Sequence, residues 1–463
     1  GPTIRRTSKA LGLRSEASQR FERGVDTILN HNALNRAIYL LEEIGAGKAV
    51  HGVAECYPVP EKPVEIKAAP TKLAARIGCD IDAATMKAIL ENLDFTVEEK
   101  GEDSWVVTVP TWRKDCDCSA DLSEEVARMY GYDKIESKTP ELIMARGGQA
   151  PIEDVKDMIR DTLTGIGLDE VMTYSFYNAQ VFDNLGLPAD DSRRKALQII
   201  NPISDDFRTI RTTLTPCLLS TVAYNQARQS ERTAIFEVGR VFIPKTLPLT
   251  DFPEEKMVLA IAMSGKRNPL SWNTAKDAID FYDIKGALEE VMDSLQVKGL
   301  SYGPTKEVFL HPGKSCAISY EGKVIGFMGA IHPTVQDRFG LSAETYVLEV
   351  EIAPFVKSAE QIPQFEHVPQ FPSVSRDIAV VVKAGVSASD LEAEIRKEGG
   401  ALLVDVRIFD VYTGKQVKSG YKSVAFNLTF QDVSRTLQDK DVDDVIKQIV
   451  ANVQDKFGGM LRD

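Results

Sequence analysis

Phe371-Pro-Ser-Val-Ser-Arg-Asp-Ile-Ala-Val-Val-Val382 opens the stretch that decides the fold of this 463-residue chain. Its apolar run predicts a strand, and Ser387 to Lys397 predicts a helix. Two long strands follow, Leu402 to Tyr412 and Tyr421 to Gln431. A second helix, Asp441 to Phe457, leads into Gly458-Gly-Met-Leu-Arg462, which suits a short closing strand. Strand–helix–strand–strand–helix–strand is the ferredoxin-like order. Such a sheet keeps one face free for a partner, often RNA, although a fold alone does not license an RNA assignment.

Outward from that stretch, the length calls for three or four domains rather than one core. Apolar and charged contents are ordinary for a globular chain. No apolar run approaches the ~18 residues that read as a membrane helix, so no membrane partner is predicted. Gly1-Pro-Thr-Ile-Arg-Arg-Thr lacks the apolar segment of a signal peptide, and there is no initiator Met. Gly1-Pro2 reads as a cleavage scar or the cut end of a longer protein. Six scattered cysteines are too few for a disulfide scaffold and predict a reducing, cytoplasmic location.

The net charge of −13 argues against broad, nonspecific RNA binding. From Gln370 onward, however, 13 Lys and Arg stand against 14 Asp and Glu, so the acidic excess lies elsewhere. A near-neutral sheet can hold a few unpaired bases by stacking and edge contacts; an ordinary surface domain has the same composition.

Residues 1–62 are basic, then helical: Ile28, Leu29, Leu34, Ile38, Leu41 and Ile44 recur near the helical period, and Gly45-Ala-Gly47 ends the run. Pro58-Val-Pro60-Glu-Lys-Pro63 is a linker. Residues 63–138 predict a small α+β unit. It has a strand at Ile66, helices at Thr71–Gly78 and Asp82–Leu93, a hairpin around Gly101–Ser104, and a closing helix from Asp121 to Tyr130. Asp82 suits an N-cap. Residues 139–356 mix helices (Glu153–Thr164, Leu214–Gln229, Tyr282–Ser294) with strand-like runs: Glu170–Phe176, Ala234–Phe242, Met257–Met263, Ser315–Tyr320, Val324–Ile331 and Tyr346–Ile352. A linker spans 357–369 and the ferredoxin-like unit 370–463. The class is α+β multidomain.

The strongest chemical pattern is Asp115…Asp121-Leu-Ser-Glu124-Glu125. With Asp121 as N-cap, Glu124 would be N3 of a capping-box-like start. Positions 121, 124 and 125 share one side of a helix, with Leu122, Val126 and Met129 forming an apolar stripe roughly 110° away. Asp115, in the preceding loop, could join as a fourth acid. Clustered hard oxygens suit Mg²⁺, which takes one or two carboxylates and keeps its waters. A capped, solvated acidic helix start gives the same spacing. Cys116 and Cys118 are too close together for the usual zinc spacing.

No established nucleotide or hydrolase motif accompanies these acids. Gly313-Lys-Ser315 is no P-loop, because Val308 stands where its first Gly belongs. His311 and His332 each precede a proline and read as structural. Arg208 and Arg211 suit ion pairs or a phosphate grip. On the terminal unit, Arg376, Tyr412, Lys415 and Lys422 are the aromatic and cationic candidates for unpaired bases and their backbone.

Several words resemble the beta subunit of bacterial phenylalanyl-tRNA synthetases. Phe371–Asp377, Phe409-Asp-Val-Tyr-Thr-Gly414 and Arg435-Thr-Leu437 resemble its anticodon-binding end. Val109-Pro-Thr-Trp-Arg-Lys-Asp115 and Ala120–Tyr132 resemble the small domain before its catalytic-like core. Asn201–Pro216, Ile235–Phe242, His311–Ser315 and Gly329–Pro333 resemble that core, a class II fold without catalysis. Arg14–Ser18 and Arg20–Asp26 match the segment that follows the editing domain, so 1–62 is expected to be its remnant.

This resemblance implies a magnesium site at Asp115, Asp121, Glu124 and Glu125, and no catalytic residue in this chain. It implies a partner alpha subunit (two alpha, two beta) and phenylalanine tRNA. The expected role is to scaffold the alpha subunit and grip tRNA while the holoenzyme joins phenylalanine to its tRNA with ATP. Two other classes fit parts of the chain: a magnesium-dependent phosphotransfer enzyme built on the four acids, and a stand-alone RNA-binding scaffold. The first lacks phosphate-clamping donors near its acids; the second leaves most domains without a task.

Overall fold

A computed structural model describes residues 1–139, 143, 147–359, 365, 367–414 and 416–461. It divides into two units, residues 1–146 and 147–463.

In the first unit, helices Pro2–Leu11, Glu16–Arg23 and Leu29–Glu43 bury none of their residues. The next segment folds because its apolar residues converge. Glu65–Ala68 and Thr96–Gly101 flank Ser104–Thr108 in an antiparallel sheet. Helices Pro70–Ile77, Ala83–Asn92 and Ser119–Tyr130 supply Leu73, Met86, Leu90, Leu122 and Val126 to a core shared with Trp105 and Val107. Asp82 caps its helix as expected, accepting from Thr85 N at 2.8 Å. The third helix starts earlier than its apolar stripe suggested: Cys118, not Asp121, is the N-cap.

The second unit carries a seven-stranded sheet. Its order is Asp169–Glu170, Arg232–Ile243, Glu254–Gly265, Thr345–Glu351, Lys323–Ile331, Leu310–Tyr320 and Leu300–Gly303. Every neighbouring pair is antiparallel except the first. Helices Pro151–Gly165 and Phe281–Ser294 pack Ile159, Leu163, Leu288 and Val291 onto one face, against Phe236 and Ile261. Thr215–Gln226 packs Leu218 and Val222 onto the other, against Ala260 and Val347. The run Glu170–Phe176 is not one strand, a departure from expectation. Phe176–Tyr177 pairs instead with Thr209–Ile210, and Met172 and Tyr174 between the two pieces are 93% and 71% exposed.

The last sheet runs Leu403–Tyr412, Tyr421–Phe430, Val374–Lys383, Met460–Leu461, all antiparallel. Helices Ala388–Gly399 and Asp439–Phe457 cover one face, where Ile378, Val380, Val382, Val424, Phe426 and Leu428 meet Leu391, Ile395, Ile449 and Val453. The opposite face keeps its polar residues, including Ser375, Asp377, Arg407 and Asn427. This is the ferredoxin-like arrangement, with element ends shifted by one or two residues.

Candidate functional site

The loop between Ser104–Thr108 and Ser119–Tyr130 positions the acids. Cys118 is extended (φ −139°), and Asp121, at N3, reaches back to accept from Asp117 N at 2.8 Å and Cys118 N at 2.9 Å. Those amides hold the Asp121 carboxyl below its ordinary range. Its charge also complements the helix N-terminus.

Arg113 organises two other acids. Its Nε and Nη2 donate to Asp115 at 2.9 and 2.7 Å, and Nη2 also donates to Glu125 Oε1 at 2.7 Å. Arg128 takes Glu125 Oε2 at 2.6 Å. The guanidinium lies 5.8 Å from the centroid of the Phe95 ring. Glu125 is only 6% exposed, and its charge is supported by these two cations. The Arg113 bond lowers the Asp115 pKa to about 2 and that of Glu125 below its usual value. Burial pushes the Cys116 thiol up to about 11.

The four sequence-predicted acids therefore occupy three environments. Asp115 and Glu125 come together, with ligand atoms and the Cys116 sulfur all within 4.8 Å of one another. Asp121 groups with Asp117 and Cys118 instead. Glu124 is exposed and faces a surface hollow beside Arg76 and Tyr132. Among the described residues no three-ligand cluster includes Glu124. The donor chemistry suits Mg²⁺, but the four carboxylates do not converge on one point, and a guanidinium sits between two of them.

The nucleic-acid candidates also separate. Arg376 lies two residues before Ile378, hence on the helix-covered face, and pairs with Asp439 at 2.6 Å. Lys422 stands opposite Val382 on that same face. Tyr412, opposite Ser423, belongs to the other face. Lys415 lies outside the described residues. Sequence reasoning passed over Phe409: a bulge between Ile408 and Asp410 leaves it without a partner in the register, 59% exposed beside Arg407. The available signal was an aromatic within a run of polar and β-branched residues.

The remaining candidates are tied into structure. Arg211, 4% exposed, pairs with Glu237 at 2.7 Å and donates to Arg240 O at 2.8 Å. Arg208 pairs with exposed Asp205. His311 and His332 accept local amides through Nδ1, from Gly313 and Thr334.

Four family models match in chain order: the B3/4 domain at 1–46, the tRNA synthetase B5 domain at 66–132, the phenylalanyl tRNA synthetase beta chain CLM domain at 135–352, and the ferredoxin-fold anticodon binding domain at 369–462. Along its whole length the chain is similar to phenylalanyl-tRNA synthetase beta subunits. The phenylalanine–tRNA ligase beta subunit of Moorella thermoacetica is 38% identical over 463 residues, and that of Clostridium acetobutylicum 35% over the same length. Each match covers 100% of this chain and 57% of the relative. That of Vibrio cholerae is 38% identical over 466 residues, covering 99% of this chain and 57% of the relative. Among the described residues, no helix is long and apolar enough to cross a membrane.

Proposed function

We propose that this chain serves a cytoplasmic phenylalanine–tRNA ligase as a non-catalytic part of its beta subunit. It scaffolds an alpha subunit, in a complex of two alpha and two beta chains, and holds the tRNA anticodon. The observation that carries this reading is the co-linear match of four domain models, the last an anticodon-binding domain. The uncovered sheet face of that domain, with Tyr412 on it and Phe409 at its edge, supports it. Amino-acid activation with ATP is assigned to the alpha subunit.

Mg²⁺ is part of the proposal, with Asp115, Asp121, Glu124 and Glu125 as donors. Its support is chemical: carboxylate oxygens gathered at one loop–helix junction are the hard ligands this ion takes, one or two of them alongside its waters. Binding by all four would require Arg113 to release Asp115 and Glu125.

The test is tRNA binding by the complex with its alpha subunit. Phe409→Ala should weaken binding of phenylalanine tRNA by about 5- to 150-fold, since stacking on one aromatic contributes ~1–3 kcal/mol. Arg407→Ala should weaken it and reduce the salt slope by about one unit. Arg376→Ala and Lys422→Ala, on the helix-covered face, should have little effect. The opposite ranking would place the RNA at the other face and end this assignment.

A further inference from the structure

We propose that a hollow on the Thr215–Gln226 side of the seven-stranded sheet binds a small organic primary ammonium ion through Glu349. Nothing in the tRNA reading uses this site, and the inference stands apart from it.

Glu349 is 8% exposed. Its two oxygens are treated very differently. Oε2 accepts four hydrogen bonds: from Thr213 Oγ1 at 2.7 Å, Leu214 N at 3.0 Å, Thr215 N at 2.9 Å and Thr215 Oγ1 at 2.8 Å. Oε1 accepts none from any described residue. The residue lines a hollow of about 320 Å³ whose walls also include Lys256, Glu254, Glu351, Val241 and Phe327.

All four donors to Oε2 are neutral, so no cation balances this acid. Leaving a carboxylate buried without a counter-charge is costly, and burial accordingly pushes the Glu349 pKa up. Lys256, the cation in the lining, is already engaged: it lies 3.2 Å from Glu351 and 3.7 Å from Glu254. Three carboxyl groups and one ammonium line the hollow, so a bound cation would supply the counter-charge that lets Glu349 stay ionised there.

The chemistry narrows the cation further. A primary ammonium offers three N–H donors, enough for Oε1 and a second carboxylate. Ile243 and Phe327, both half-buried in the lining, present apolar surface that a hydrocarbon body would cover, whereas a hydrated metal ion would leave it wet.

The probe is phenethylammonium, titrated calorimetrically into the full chain, with uncharged 2-phenylethanol and anionic phenylacetate as controls. The expected result is saturable binding of the ammonium, about tenfold or more tighter than the alcohol, and none of the anion. Glu349→Gln should weaken it by about tenfold or more. Because that variant also disturbs four hydrogen bonds, Lys256→Met supplies an independent reading. Removing the competing cation should tighten binding by about threefold or more. No saturable binding by wild type, equal binding of alcohol and ammonium, or weaker binding by Lys256→Met would overturn the site.

Discussion

Arg113→Ala probes the organisation of the acidic loop. Breaking a buried ion pair by deleting one partner costs ~3–5 kcal/mol. Two features reduce that here. The Asp115 side chain is 67% exposed, and Arg128 still holds the other oxygen of Glu125. Lost contact with Phe95 adds a little back. The expected loss is about 2–3 kcal/mol, which for a domain this small lowers its melting temperature by roughly 10–20 °C. Trp105, 3% exposed in this sheet, reports the transition once Trp112 and Trp272 are changed to Phe. The variant also bears on the metal. With the guanidinium gone, Asp115 and Glu125 stand as two acids with one remaining cation, so Mg²⁺ should stabilise the variant more than the parent. At ten times its Kd the ion would return about 1.4 kcal/mol. A variant within about 0.5 kcal/mol of the parent would refute Arg113 as the organiser. An equal Mg²⁺ response in both proteins would refute the competition between guanidinium and ion.

Acid should loosen the same domain in a defined window. The Asp115 carboxyl is depressed from 3.8 to about 2, so its contribution is complete above the ordinary value and fades as pH falls toward 2. Trp105 fluorescence between pH 5 and pH 2 should follow that loss, and Arg113→Ala should flatten the pH dependence. In the second unit, Arg211→Met should cost ~3–5 kcal/mol in urea unfolding by stranding Glu237, and Arg211→Met with Glu237→Leu should recover most of it. Purified without an alpha subunit, the chain should support no pyrophosphate exchange driven by phenylalanine and ATP; measurable exchange would overturn the non-catalytic reading of residues 139–356.

The terminal domain was readable because its strands alternate cleanly and its helices are bounded by turn residues. The same alternation carried unused information: Arg376 has the parity of Ile378, Val380 and Val382, which assigns it to the helix-covered face. The acidic helix was harder. Asp at N3 and Asp at N-cap both satisfy orphan amides, and here Cys118 occupies the cap while Asp121 reaches back to it. Spacing put Glu124 and Glu125 on one side, yet a single helical step leaves Glu124 in solvent and Glu125 6% exposed. Glu170–Phe176 looked like one strand because apolar residues alternate through it, but the chain leaves the sheet after Glu170 to begin a separate ladder. Glu349 gave no signal in one dimension. An acid within a buried strand is explained only by Thr213 and Thr215, more than a hundred residues away.

The strand Leu403–Tyr412 is the rim of its sheet, and its register is interrupted twice. A straight, apolar rim would offer a ladder of free amides and carbonyls to any identical copy it met. These interruptions, with Asp405, Arg407 and Asp410 between the apolar residues, spoil that template. The distortion that lifts Phe409 into solvent thus also guards against fibre growth. Deleting Phe409 outright would remove one of the two interruptions, and the expected penalty is aggregation at high concentration rather than loss of fold.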